Sequence, residues 1–318
     1  AAVSFQVTLF PNQGFCIGVT ANHGVLDGKT TTMFLKSWAH TCKQPNHSQP
    51  DDLIPFYDRT VIKGPPEIDT FLLNVWHSVA KMFAGGKEPD NPKTLKHLIT
   101  PKISPDNFRF TFELSRENIQ KLRERLKRDQ SSSDSKQLRL STFVITFSYA
   151  FTCLVRSRGG DPKRPVEFRF AVDCRSLLVD PPVPSSYFGN CVSAVVSGPL
   201  TATTFMAEDG FLAAARFVSD SVEELDETVA WKLPKVLKDS ASPFGSKLLT
   251  VAGSTRFGVY GLDFGWGRPE KVEIVSIDQG SISMAESRDG SGGVEIGFSL
   301  KKYEIDVLID LLRDGLKD

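Results

Sequence analysis

The first residues alternate, with Val3, Phe5, Val7 and Leu9 set against Ser4, Gln6 and Thr8. That period of two predicts a half-buried strand over 3–10. Pro11-Asn12-Gln13-Gly14 is a turn signal, and residues 15–20 read as the returning strand of a hairpin. The spacing then becomes helical over 28–43, placing Met33, Phe34, Ser37 and Trp38 on one face. His23 therefore falls on a short link between a strand and a helix.

Residues 44–69 are rich in proline and polar side chains and predict loop, whereas 70–84 predict a helix. Residues 85–107 read as a long crossover linker. It would part a first domain, 1–84, from a second, 108–318. A strand is expected over 108–114, then a helix over 116–129 capped by Ser115, then a flexible serine-rich loop at 131–135. Ser141 can cap a helix running to about Val155, apolar nearly all round and hence buried. Further strands are expected at 166–172, 191–196 and 272–276, and helices at 204–230 and 302–316. The Gly/Ser run at 289–293 divides 281–286 from 292–299 as a hairpin. With no fixed repeat, this order predicts an α/β fold with mixed sheets rather than a regular βαβ series.

Composition narrows the function classes. The 318 residues are 40% hydrophobic, enough for a sizeable core and about two domains. Lys+Arg and Asp+Glu both number 38, so there is no electrostatic case for a nucleic acid or a membrane surface as partner. No stretch approaches the roughly 20 apolar residues of a spanning helix. The five cysteines, Cys16, Cys42, Cys153, Cys174 and Cys191, form no CxxC pair. They argue against a disulfide framework and a zinc site and for a reducing compartment, the cytosol. The chain starts directly in a strand pattern, without Met or a charged-then-apolar leader, and reads as cut inside a larger domain.

The sharpest chemical feature is Asn22-His23-Gly24-Val25-Leu26-Asp27-Gly28. A histidine acting as general base needs a fixed ring and access to substrate, and a strand-to-helix link offers both. Alone, His-x-x-x-Asp recurs by chance. Two later segments change the picture: Tyr187-Phe188-Gly189-Asn190-Cys191, and Asp263-Phe264-Gly265-Trp266-Gly267. No serine sits in a Gly-x-Ser-x-Gly elbow.

With these three motifs in order, the chain resembles the plant BAHD acyltransferases. Within that family it is most similar to the branch acylating anthocyanins, flavonoids and phenolic glucosides. The resemblance implies a two-domain, chloramphenicol-acetyltransferase-like fold, with the N-terminal domain incomplete here. It implies an O-acyltransferase with no bound cofactor and no metal, taking acyl-CoA, expected to be malonyl-CoA, as co-substrate and a phenolic glycoside as acceptor. His23 would be the catalytic base. Asp27 would either orient His23 or pair with Arg175 to hold the loop, and the family pattern favours the pair. Asp263, Gly265 and Trp266 would support the site structurally. Lys136, Arg139, Ser141 and Thr142, leading into a helix start, and Arg256 are candidates for CoA binding, the other reading being an ordinary solvated basic turn.

A malonyl carboxylate would need a cation, for which Lys29 and Arg175 are conceivable. Leu177 stands where family members often carry a second arginine. The family has a much longer stretch ahead of its His-x-x-x-Asp than the 22 residues here. That implies either a separate N-terminal fragment as partner or a truncated chain with open sheet edges and an exposed core face. The alternatives are a hydroxycinnamoyl-CoA donor, or an inactive truncated member acting as a binding protein.

Overall fold

The computed structural model describes residues 3–83, 106–131, 137–197, 200–232, 248–277 and 281–317. The chain divides into two units. One comprises 1–101, 173–192 and 262–267, and the other 102–172, 193–261 and 268–318. The expected linker at 85–107 falls almost wholly outside the described residues, as do Lys136 and most of the serine-rich loop.

In the first unit, β1 (Val3–Phe10) and β2 (Gly14–Ala21) form an antiparallel hairpin with Val3 opposite Ala21 and Phe10 opposite Gly14. Asn12 closes the turn with φ of 60°, a left-handed conformation that asparagine tolerates. Helix α1 (Gly28–Lys43) follows. Its Phe34 and Trp38 meet Phe5 with ring centroids 5.9 and 5.0 Å away, so the apolar stripe read from the sequence is the face that packs on β1. Val7 and Leu9 remain exposed on the hairpin. Helix α2 (Pro66–Phe83) starts four residues before the expected boundary, with proline at its first position, where no backbone donor is lost.

The second unit is built on a mixed sheet. Its elements are β3 (Asn107–Leu114), α3 (Arg116–Ser131), α4 (Thr142–Ser157), β4 (Pro165–Asp173), β5 (Val192–Val196), β6 (Leu200–Thr201), α5 (Ala202–Met206), α6 (Gly210–Glu223), β7 (Leu248–Gly253), β8 (Ile282–Glu286), β9 (Val294–Lys301) and α7 (Lys302–Asp314). The strand order is β3-β9-β8-β7-β4-β5, with β6 paired to β4. β9 runs antiparallel to both β3 and β8, and β7 pairs in parallel with both β8 and β4. Helix α4 is buried almost all round, as its composition predicts. Its Phe147 and Phe151 lie 5.5 and 5.6 Å from Phe168 of β4, all three fully buried. Each such ring contributes about 1.5–3 kcal/mol by leaving water. Tyr149 ties α4 to α7 by donating to the Leu312 carbonyl at 2.7 Å.

Two expectations are corrected. Residues 204–230 are not one helix. The chain breaks after α5, and at Gly210 a Cβ would stand 2.3 Å from the Phe205 carbonyl oxygen. It breaks again after α6, where Asp226 accepts from Thr228 N at 2.9 Å and starts a separate 3-10 turn over Glu227–Trp231. Residues 272–276 form no strand despite their β-branched content. Val272 N donates to the Tyr260 hydroxyl at 3.2 Å, the Val275 carbonyl accepts from Arg109, and both edges of β9 are already taken by β3 and β8. Conversely, β7 went unread because its short apolar run has no period to reveal it.

Candidate active site

His23 lies on a tight turn between β2 and α1. The Asn22 side chain accepts from Gly24 N at 2.9 Å, and its carbonyl accepts from Val25 N at 2.9 Å and Leu26 N at 3.1 Å. Asp27 then caps α1, accepting from Thr30 N at 2.8 Å. The His23 carbonyl accepts from the Asn190 side chain. Its side chain is exposed, and among the described residues no hydrogen bond engages the imidazole. The backbone is thus held from both sides while the ring stays available.

Asp27 is 1% exposed and makes no bond to His23. One carboxylate oxygen caps the helix. The other accepts from Arg175 Nη2 at 2.8 Å and from Cys191 N at 3.0 Å. Arg175, 3% exposed, is held through all three of its nitrogens. Its Nε donates to the Tyr187 carbonyl (3.2 Å), its Nη1 to Asp173 (2.8 Å), and its Nη2 also reaches the Gly189 carbonyl (2.7 Å) and the Thr30 hydroxyl (3.0 Å). Burial works against the guanidinium charge, but the Asp173 and Asp27 carboxylates outweigh it and lift the Arg175 pKa above its ordinary value. At Asp173, burial raises the pKa, and Arg175 and Lys29 more than reverse that. Lys29 Nζ sits 3.0 Å from Asp173 on the half-exposed side of the pair.

This clamp joins the His23 turn to the 187–191 segment. Arg175 is 3% exposed and already held by two carboxylates, so the geometry does not support it as the malonyl cation.

The Asp263–Gly267 loop engages the other end of α1. Asp263 bonds Lys43, the last residue of that helix, at 2.6 Å and accepts from Gly265 N (2.8 Å) and Gly267 N (3.0 Å). The Lys43 ammonium, then the Gly265 amide, pull its pKa down to about 2. Gly265 and Gly267 have φ of 105° and 97°, which a side chain would strain. Phe264 packs edge-on to Trp38 at 5.0 Å, and Trp266 meets Phe15 at 5.3 Å while remaining largely exposed. Because α1 has 16 residues, this loop and the His23 turn lie about 24 Å apart along it.

Of the residues considered for CoA, Ser141 caps α4 through Val144 N at 3.2 Å, with Thr142 next to it. Arg139 is exposed, its amide fixed by the buried Ser219 hydroxyl at 3.1 Å. Arg256 is exposed on the loop after β7, and among the described residues no bond joins it to the α4 group. Also among those residues, no cluster of His, Cys, Asp and Glu could hold a metal ion, and no helix is long and apolar enough to cross a membrane.

A family model described as the Transferase family matches residues 2–310. The chain belongs to this family, the BAHD acyltransferases. It is 70% identical over its whole length to Phenolic glucoside malonyltransferase 1 of Arabidopsis thaliana, spanning 69% of that protein. It is 46% identical over 99% of its length to Malonyl-CoA:anthocyanidin 5-O-glucoside-6''-O-malonyltransferase of Arabidopsis thaliana, again spanning 69% of it. The crystal structure of vinorine synthase shares the fold, with a TM-score of 0.67 at 19% identity over 98% of this chain and 65% of that one.

Two parts of this BAHD chain's site were missed in the sequence. Thr30 bridges the clamp, accepting from Arg175 and donating to the Gly189 carbonyl at 2.9 Å. Its place three residues past the cap was the available signal. Lys43 gave none, because its partner Asp263 is 220 residues away.

Proposed function

We propose that the chain belongs to an O-acyltransferase that moves a malonyl group from malonyl-CoA to a sugar hydroxyl of a phenolic or flavonoid glucoside. The observation that carries this is the 70% identity along the entire chain to a phenolic glucoside malonyltransferase. The geometry around His23 suits the chemistry. An exposed imidazole on a fixed turn can take the acceptor hydroxyl's proton as the oxygen attacks the thioester carbonyl. The tetrahedral intermediate collapses with cleavage of the C–S bond. The imidazolium then returns its proton to the departing sulfur, leaving an ester and free CoA and no acyl-enzyme.

In this scheme Asp27 and Arg175 act by position. They hold the turn so that the ring's direction is set before substrate arrives, which matters because small misplacements cost large factors in rate. Asp263, Gly265 and Trp266 fix the far end of α1. The start of α4, with Lys136, Arg139, Ser141 and Thr142, and Arg256 are assigned to CoA, whose phosphates suit cations and backbone amides. The five free cysteines fit a reducing compartment such as the cytosol.

The test is mass spectrometry of the products formed from a phenolic glucoside with malonyl-CoA and, separately, with a hydroxycinnamoyl-CoA. A malonyl ester formed at the higher kcat/KM supports the reading. A hydroxycinnamoyl ester alone, or no ester from either donor, overturns it.

A further inference from the structure

Tyr187-Phe188-Gly189-Asn190-Cys191 lies wholly in the first unit, with no side chain yet given a part in the transfer. Its main chain is braced at almost every step. Tyr187 N donates to the Pro184 carbonyl at 3.0 Å, and Phe188 N to the Phe56 carbonyl at 2.8 Å. The Tyr187 and Gly189 carbonyls accept from Arg175, and the Phe188 carbonyl from Arg59. Cys191 N donates to Asp27, and its carbonyl accepts from Cys174 N at 2.9 Å. The buried Tyr187 ring has both guanidiniums within cation–π range, Arg59 at 5.0 Å and Arg175 at 5.7 Å from its centroid. A Cβ on Gly189 would collide with the Arg59 guanidinium, so glycine is what lets Arg59 reach the segment.

Asn190 projects from this braced segment with an exposed side chain, and its amide donates to the His23 carbonyl. The N–H of the same peptide, that of Gly24, is held by Asn22 Oδ1 at 2.9 Å. One peptide bond is therefore gripped at both polar ends, by the asparagine beside it and by one 167 residues away. The grip matters because Gly24 has no Cβ to limit rotation of that peptide plane. The imidazole is exposed and, among the described residues, has no hydrogen bond of its own. Its direction is thus inherited from the backbone that Asn190 holds.

We propose that Asn190 is a positioning residue for the transfer, its amide locking the His23–Gly24 peptide and so aiming the imidazole. The inference rests on His23 as the base. It adds to the Asp27–Arg175 clamp, which holds the turn where α1 begins, a second hold next to the base itself. A side chain that fixes a catalytic group from a rigid segment removes the need to order it when substrate arrives.

The test compares the parent chain with Asn190→Ala and Asn190→Gln in three ways: steady-state malonyl transfer to a phenolic glucoside, hydrogen exchange of the peptide spanning residues 22–27, and Tm. Asn190→Ala should lower kcat by about tenfold or more, with KM for donor and acceptor held within about twofold. Exchange across residues 24–26 should quicken while Tm stays close to the parent's, because the side chain is exposed. Asn190→Gln keeps the amide on a longer stem and should recover part of the lost kcat. A kcat for Asn190→Ala within about threefold of the parent's overturns the inference. A loss expressed in KM overturns it in favour of a substrate contact, and an equal loss in both variants with lowered Tm overturns it in favour of a purely structural role. A parent that transfers no malonyl group overturns the transferase reading instead. Exchange then decides the hold by itself: faster exchange confined to residues 22–27 in Asn190→Ala upholds it, and unchanged exchange overturns it.

Discussion

Asp27→Asn tests the clamp with almost no change in shape. Every group facing the Asp27 carboxylate is a donor: Thr30 N on one oxygen, Arg175 Nη2 and Cys191 N on the other. An amide can accept on one side only, and its NH2 must then face donors on the other. The substitution also removes the more buried of two counter-charges from a guanidinium that is 3% exposed, leaving Asp173, which is partly open to solvent. Removing one partner of a buried pair costs about 3–5 kcal/mol, and the surviving Asp173 contact argues for the lower end, about 3 kcal/mol.

Urea unfolding followed by tryptophan fluorescence measures this as a lowered midpoint at constant slope. A loss below about 1 kcal/mol would refute the reasoning. A pH–rate profile adds a second arm. Because Asp27 does not touch the imidazole, the variant should lose kcat without moving the acid limb. An acid limb displaced to lower pH would show the carboxylate acting on His23 directly.

Two further outcomes follow from local geometry. Asp263 has a folded-state pKa of about 2 against an ordinary 3.8, so its contribution is complete above 3.8 and lost as pH falls toward about 2. Acid titration of fluorescence should show a transition in that window which Asp263→Asn lacks, and identical titrations would contradict the Lys43–Asp263 link. Gly210→Ala places a Cβ 2.3 Å from the Phe205 oxygen and 2.6 Å from its carbon, both backbone atoms that cannot swing aside. It should destabilise the second unit by about 1–3 kcal/mol, and an unchanged Tm would contradict the close packing of α5 on α6.

What the sequence disclosed and what it hid have physical causes. The hairpin, α1 and the turn between them were legible because each has its own local signal: alternation in Val3–Phe10, a 3.6-residue stripe through Phe34 and Trp38, and a capping aspartate at 27. The breaks at Gly210 and Asp226 were not, because apolar spacing continues through them and only the close approach of Phe205 shows why the helix must stop. Residues 272–276 carry strand propensity, but Val272 N is taken by the Tyr260 hydroxyl and the Val275 carbonyl by Arg109, distant side chains that the segment itself does not disclose. In the site, His23, Asp27 and Arg175 could be named from motifs. The carbonyls of Tyr187 and Gly189 that complete the clamp could not, since a backbone acceptor leaves no trace in residue type.

The most direct test of the account replaces the base itself. Malonyl transfer from malonyl-CoA to a phenolic glucoside should be compared between the parent and His23→Ala, alongside malonyl-CoA binding and Tm. Since the ring makes no hydrogen bond among the described residues, the variant should fold and bind the donor as the parent does. It should lose about 10²- to 10⁴-fold in kcat. A kcat within about tenfold of the parent's would contradict the assignment of His23 as the general base.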